Sequence, residues 1–200
     1  MSILTTHTDL IGHAKIAMNT VPQLPILAVG AAGTGKSYLF TVTYRKLWAE
    51  ANNVPVEEVA VIVERCADRD AAEFAGLMMP AKDANGEVVT KSIKPDLLRK
   101  IETKRAQGYQ FILLVLDEIC QADVSVQKTL SSVLDRRENT LGGHDLGAGI
   151  FVCGNGNRLA DKSGAQNVLA NLKNRVLFFE MEGYSDRTVE AWIRDYAEPN

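Results

Sequence analysis

The sequence predicts an α/β protein whose mostly parallel sheet is covered by helices on both faces, and three observations carry that prediction. Short apolar stretches rich in branched and aromatic residues alternate with stretches of helical periodicity. No repeat or low-complexity segment interrupts the alternation along the 200 residues. Gly30-Ala31-Ala32-Gly33-Thr34-Gly35-Lys36-Ser37 satisfies GxxxxGK(S/T), directly after one apolar stretch and directly before a helical one.

The elements follow in order. Five strands are predicted, at residues 26–29, 59–63, 111–116, 150–153 and 176–181, each short and apolar as strands buried on both faces are. After Ser37, residues Phe40, Tyr44, Leu47 and Trp48 share one helical face, and Asn52, Asn53 and Pro55 stop that helix. The helix feeding the third strand begins at Pro95, turns Leu97, Leu98 and Ile101 inward and ends at Gly108. After the third strand, Asp123 is a candidate N-cap for a helix that buries Val126, Leu130, Val133 and Leu134. Arg136 and Arg137 end that helix, where its dipole favours cations. Residues 80–93 carry an Asn85-Gly86 turn signal between extended-type residues, which predicts a hairpin or mobile loop facing a partner or substrate. Gly142-Gly143-His144 reads as a further loop.

Composition sets the outer limits. With 46% hydrophobic and 24% charged residues, the chain is long enough for one well-filled core. A net charge of −3 gives no global reason to expect nucleic acid as a partner. Cys66, Cys120 and Cys153 lack CxxC or His spacing, which fits reduced thiols better than a disulfide frame or zinc site. His7, His13 and His144 are scattered and form no ligand pattern. No basic segment followed by an apolar one opens the chain, and no apolar run is long enough for a bilayer, so the expected location is cytoplasmic.

The chemistry concentrates at strand ends. Glycines at 30, 33 and 35 let backbone N–H groups close around phosphates, Lys36 brings a charge to the β and γ groups, and Ser37 offers a hydroxyl to Mg²⁺. The third strand runs Phe111-Ile112-Leu113-Leu114-Val115-Leu116 into Asp117-Glu118, a Walker B pattern. Asp117 suits Mg²⁺, and Glu118 suits polarisation of an attacking water. The fourth strand leads into Gly154-Asn155-Gly156-Asn157, where Asn157 is the preferred residue for the γ-phosphate and Asn155 competes for the role. Arg175 stands at the entrance of the fifth strand, and by itself reads as a structural surface residue.

Taken in order, these segments resemble an AAA+ ATPase, and more narrowly the MoxR branch and its prophage relatives. Leu10-Ile11-Gly12-His13 is similar to the box lining the adenine pocket, with Ile11 and Gly12 as nucleotide contacts. Gly30, Gly33, Thr34, Gly35, Lys36 and Ser37 match the Walker A motif, and Leu116-Asp117-Glu118 the Walker B motif. Asn155-Gly156-Asn157-Arg158 with Asp161 resembles the sensor 1 region, and Leu172-Lys173-Asn174-Arg175 the arginine-finger segment. Asp70-Ala71-Ala72-Glu73-Phe74-Ala75-Gly76-Leu77 and the Asn-Arg-x-x-Asp stretch point to the MoxR branch.

The resemblance implies a three-layer α/β/α P-loop core over residues 1–183 with strand order 5-1-4-3-2. It also implies ATP and Mg²⁺ as ligands, a homo-oligomeric ring of hexamer type, Arg175 as a finger acting on the neighbouring site, and a protein client. One departure stands out: residues 184–200 form a helix with Val189, Trp192, Ile193 and Tyr196 on one face, leading into a lid that is truncated or absent, and Arg194 cannot replace the lid's arginine. ATP is preferred over GTP because no NKxD-type stretch occurs. A nucleic-acid-directed ATPase and a nucleotide-gated assembly switch remain as alternatives, with Lys82, Lys91 and Lys94 offset by Asp83, Glu87 and Asp96. A small-molecule kinase fits least.

Overall fold

The computed structural model describes residues 3–161 and 168–181. The helix expected near the C-terminus, with Val189, Trp192, Ile193, Arg194 and Tyr196, lies outside them. In chain order the elements are β1 (Ile3–Thr5), α1 (His7–Met18), β2 (Ile26–Val29), α2 (Lys36–Tyr38), a π-turn (Leu39–Thr43), α3 (Tyr44–Asn52), β3 (Val59–Arg65), α4 (Ala71–Ala75), β4 (Leu77–Lys82) and β5 (Val88–Ile93). They continue with α5 (Asp96–Ala106), β6 (Phe111–Asp117), α6 (Val124–Thr129), β7 (Thr140–Leu141), β8 (His144–Asp145), β9 (Ile150–Gly156), α7 (Ala170–Lys173) and β10 (Leu177–Met181).

The main sheet has six strands in the order β1-β10-β2-β9-β6-β3, and every pairing is parallel. The five predicted strands stand in the predicted order 5-1-4-3-2 as β10-β2-β9-β6-β3. β1 adds a sixth at the outer edge, with Thr5 opposite Met181. Three residues carry too little periodicity to announce a strand, so only the exposed edge of β10 reveals it.

Each inner strand is apolar on both faces because helices cover both. Leu27 and Val29 of β2 join Ile112, Leu114 and Leu116 of β6 under Leu97, Leu98 and Ile101 of α5 and Val126 of α6. Ile26, Ala28, Leu113 and Val115 face the other way, onto Leu10 and Ala14 of α1 and onto Phe40, Tyr44 and Trp48. Phe40, Tyr44 and Trp48 are all at most 1% exposed, as the helical face required. Asn53 ends that helix in the left-handed region with φ 55°.

Two ends differ from the sequence reading. The fourth strand continues past Cys153 to Gly156, which puts Asn155 inside the sheet at 3% exposure. The helix after Asp123 ends at Thr129, so Arg136 and Arg137 stand exposed in the turns beyond it. β4 and β5 form the expected hairpin, reaching back to Leu77. Its sides leave Leu77, Met78, Met79, Val88, Val89 and Ile93 between 39% and 73% exposed.

All three cysteines are buried and unpaired. Burial pushes the Cys120 thiol up to about 12, and raises Cys66 and Cys153 as well. A raised thiol pKa leaves almost no thiolate at pH 8. In the folded protein all three are therefore expected to resist a thiol-specific disulfide reagent for hours, and to react within minutes in guanidinium. Rapid reaction of one thiol in the native protein would contradict this.

Candidate nucleotide site

β2 occupies the middle of the sheet, so its carboxyl end opens between β10 and β9. The Gly30 N–H donates to the Gly156 carbonyl at 3.1 Å, which ties the start of the loop to the tip of β9. A Cβ on Gly30 would stand 2.9 Å from the Met181 Cβ, so the chain leaves the sheet here only as glycine. Gly33 and Gly35 take φ of 78° and 74°, left-handed values open to glycine at no steric cost. Gly35 then serves as N-cap of the helix that Lys36 opens.

Lys36 is 7% exposed, and its Nζ donates to the Gly30 carbonyl at 2.9 Å, the Ala31 carbonyl at 2.6 Å and Thr34 Oγ1 at 3.2 Å. A buried ammonium needs such partners. Thr34 Oγ1 in turn donates to the Ala31 carbonyl at 2.9 Å. From the other side, His7 at the start of α1 places Nε2 at 2.7 Å from the Thr34 carbonyl. His7 is a contact that sequence reasoning left in the background, since a single histidine in a helix announces nothing.

The acidic half comes from β6 and β9, which are neighbours. Asn155 Nδ2 donates to Asp117 Oδ1 at 2.6 Å, while the Glu118 N–H reaches Asn155 Oδ1 at 3.4 Å and the Ile119 N–H donates to the Asn155 carbonyl at 3.0 Å. Asn155 thus clamps the end of β6. Glu118 follows with φ 56°, a left-handed conformation unusual for a residue with a side chain. Its carboxylate accepts from Arg65 Nε at 2.8 Å, and Arg65 also lies 3.2 Å from Asp68. Arg65 ends β3 directly opposite Asp117. The predicted adjacency of the second and third strands was the available signal for this pair; nothing in either strand alone marked it.

The phosphate loop from Ala32 to Ser37, with Asp117, Glu118, Asn155 and Asn157, lines one cleft of about 400 Å³. Both asparagines reach it: Asn155 through Asp117, and Asn157 from just beyond the end of β9. Ser37 and Asp117 supply a hydroxyl and a carboxylate, hard oxygen donors of the type Mg²⁺ takes. The Asn155 bond to Oδ1 fixes the orientation of the Asp117 carboxylate. Ile11 and Gly12 sit in mid-α1 and do not line the cleft among the described residues; Ile11 is half-buried and Gly12 exposed. The first turn of α1 touches the loop through His7.

Comparison with solved structures gives extensive matches. A candidate ATPase from Cytophaga hutchinsonii superposes with a TM-score of 0.54 at 14% identity, over 99% of this chain and 53% of that one. The Aeropyrum pernix ORC1 protein, solved in complex with DNA, gives 0.53 at 14% identity over 100% and 52%. A P216G variant of Thermotoga maritima RuvB gives 0.54 at 12% identity over 96% and 51%. This chain shares its fold with these three structures. The chain spans about half the length of these matched structures. No protein-family profile matches the chain, and no curated protein matches it in sequence.

Arg175 lies at the opposite end of the sheet from the phosphate loop. Leu177 pairs with Ile26 at the start of β2, whereas the loop follows Val29. The length of β2 therefore separates Arg175 from its own cleft, on the order of 10–15 Å at about 3.3 Å per residue. Arg175 Nη1 donates to the Ser131 carbonyl at 3.0 Å and lies 3.2 Å from Asp135. Arg136 and Arg137 line a second cleft beside it, with Leu24 and Asn174. Among the described residues no helix is long and apolar enough to cross a membrane.

Proposed function

We propose that this chain is an Mg²⁺-dependent ATPase of the MoxR-like AAA+ type that converts ATP hydrolysis into remodelling of a protein partner. The observation that carries the reading is the convergence of Lys36, Ser37, Asp117, Glu118, Asn155 and Asn157 on one cleft at the carboxyl ends of parallel strands. Ligands bind at that end of such sheets.

The contacts support a role for each residue. The loop amides and Lys36 bind the phosphates, Lys36 exchanging the carbonyls of Gly30 and Ala31 for phosphate oxygens and so remaining paired. Ser37 and Asp117 would hold Mg²⁺, with Asn155 fixing the Asp117 carboxylate. There Mg²⁺ would supply positive charge to offset that of the transferred phosphoryl group. Glu118 takes the proton of the water whose oxygen attacks the γ-phosphorus as the bond to the ADP oxygen breaks. Asn157 donates to the γ-phosphate. For Ile11 and Gly12 the place beside the base rests on the resemblance of Leu10-Ile11-Gly12-His13 to the adenine-pocket box and not on the cleft lining.

Arg175 serves the cleft of a neighbouring copy in a ring, a reading supported by its place at the end of the sheet opposite its own cleft. The growing negative charge of the transferred group is what such an arginine stabilises. The exposed apolar residues of the β4–β5 hairpin support a protein client, and its lysines at 82 and 91 are offset by Asp83 and Glu87.

ATP hydrolysis per molecule is expected to climb with protein concentration and to fall at least tenfold in Arg175→Ala, with ATP affinity retained. Steady-state phosphate release across a dilution series checks both. A rate independent of concentration and untouched by Arg175→Ala would refute the shared site. Stimulation by added DNA in the same assay, falling steeply with salt, would favour the nucleic-acid-directed alternative.

A further inference from the structure

The contact between His7 and the phosphate loop has a geometric consequence. The Thr34 carbonyl can only accept, so the 2.7 Å bond requires the proton on His7 Nε2. Burial lowers the imidazole pKa and so favours the neutral ring in its Nε2–H form. In a trans peptide the carbonyl and the following N–H point in opposite directions. A donor that holds the Thr34 carbonyl from the α1 side therefore turns the Gly35 N–H to the other side, toward the cleft that Gly35 lines.

His7 is itself firmly placed. Thr6 and Asp9 form a reciprocal capping box at the start of α1, with Thr6 N to Asp9 Oδ2 and Asp9 N to Thr6 Oγ1 both at 3.2 Å. One residue earlier, Thr5 pairs with Met181, whose Cβ is the atom that excludes a side chain from Gly30. The edge strand, the cap and the histidine thus brace the loop from one side, while Lys36 and Thr34 bond it internally.

We propose that His7 is a positioning residue for nucleotide binding, which fixes the Thr34–Gly35 peptide so that the Gly35 N–H meets a phosphate oxygen. The proposal rests on the ATPase reading. Three full-length variants test it by titration with a fluorescent ATP analogue, alongside thermal melts. His7→Phe keeps a ring of similar size but no donor, and is expected to weaken binding about tenfold. His7→Gln places an amide N–H at the same number of bonds from Cβ and is expected to stay within about threefold of wild type. Lys36→Ala is the control that loses binding. If His7→Phe binds like wild type, or His7→Gln is as weak as His7→Phe, the proposal fails. If the wild type binds no better than Lys36→Ala, it is the ATPase reading that fails.

Discussion

Glu118→Gln is expected to bind ATP with unchanged affinity and to hydrolyse it about 10²- to 10³-fold more slowly, the share that a positioned general base supplies. Glutamine keeps the shape and removes the base. The left-handed φ of 56° at Glu118 fixes where that side chain departs from the chain, so the substitution leaves the neighbouring Asp117–Asn155 bond in place. Single-turnover phosphate release under saturating ATP reads the step directly. Turnover at the original rate would remove Glu118 from the mechanism. Arg65 enters the same experiment, because its Nε holds the Glu118 carboxylate at 2.8 Å on a solvent-exposed side of the pair. Water screens such a pair, so a reacting water and a γ-phosphate can compete with Arg65 for the carboxylate. Arg65→Ala is accordingly expected to raise kcat with nucleotide affinity unchanged. A fall in kcat would mean that Arg65 aims Glu118 instead of restraining it.

Gly156→Ala is expected to destabilise the fold by about 3 kcal/mol, the upper range for forcing a methyl group into a filled core. A Cβ there would stand 2.3 Å from Cys120 Sγ and 2.5 Å from Cys120 Cβ, and both residues are buried. Cys120 cannot retreat easily, since the Ile119 N–H beside it is bonded to the Asn155 carbonyl at 3.0 Å. For a chain of this size the loss corresponds to a fall in Tm on the order of 10 °C. The geometry sets a finer expectation. Adding Cys120→Ala removes the sulfur but leaves the Cβ overlap, so it restores little, whereas Cys120→Gly restores more. A Gly156→Ala protein melting within a degree or two of wild type would show that β9 and the Glu118 turn separate freely.

The legibility of this chain varied with the range of the interaction. The five central strands and their order were readable because strands buried on both faces are apolar runs, and the phosphate loop anchors the first of them. The inward faces of the helices were readable from spacing alone: Phe40, Tyr44, Leu97, Val126 and Leu130 are all buried. Local turn chemistry announced the β4–β5 hairpin through Asn85-Gly86, although not that its strands begin at Leu77. The end of the fourth strand was not readable, because Gly154, Asn155 and Gly156 are turn formers in isolation and enter the sheet through pairing with Leu27, Ala28 and Val29, and at Gly154 also with Leu116.

By itself, then, the sequence determined the layered architecture, the position of the phosphate loop and the carboxylates that follow the third strand, since each depends on residues adjacent in the chain or on one period. Only the tertiary structure decided which groups those residues hold. His7 meets Thr34 across 27 positions, Arg65 meets Glu118 across 53, and Asn155 meets Asp117 across 38. Such pairs leave no periodic trace. They come into contact because parallel strands bring their carboxyl ends to one side of the sheet, whatever their separation along the chain.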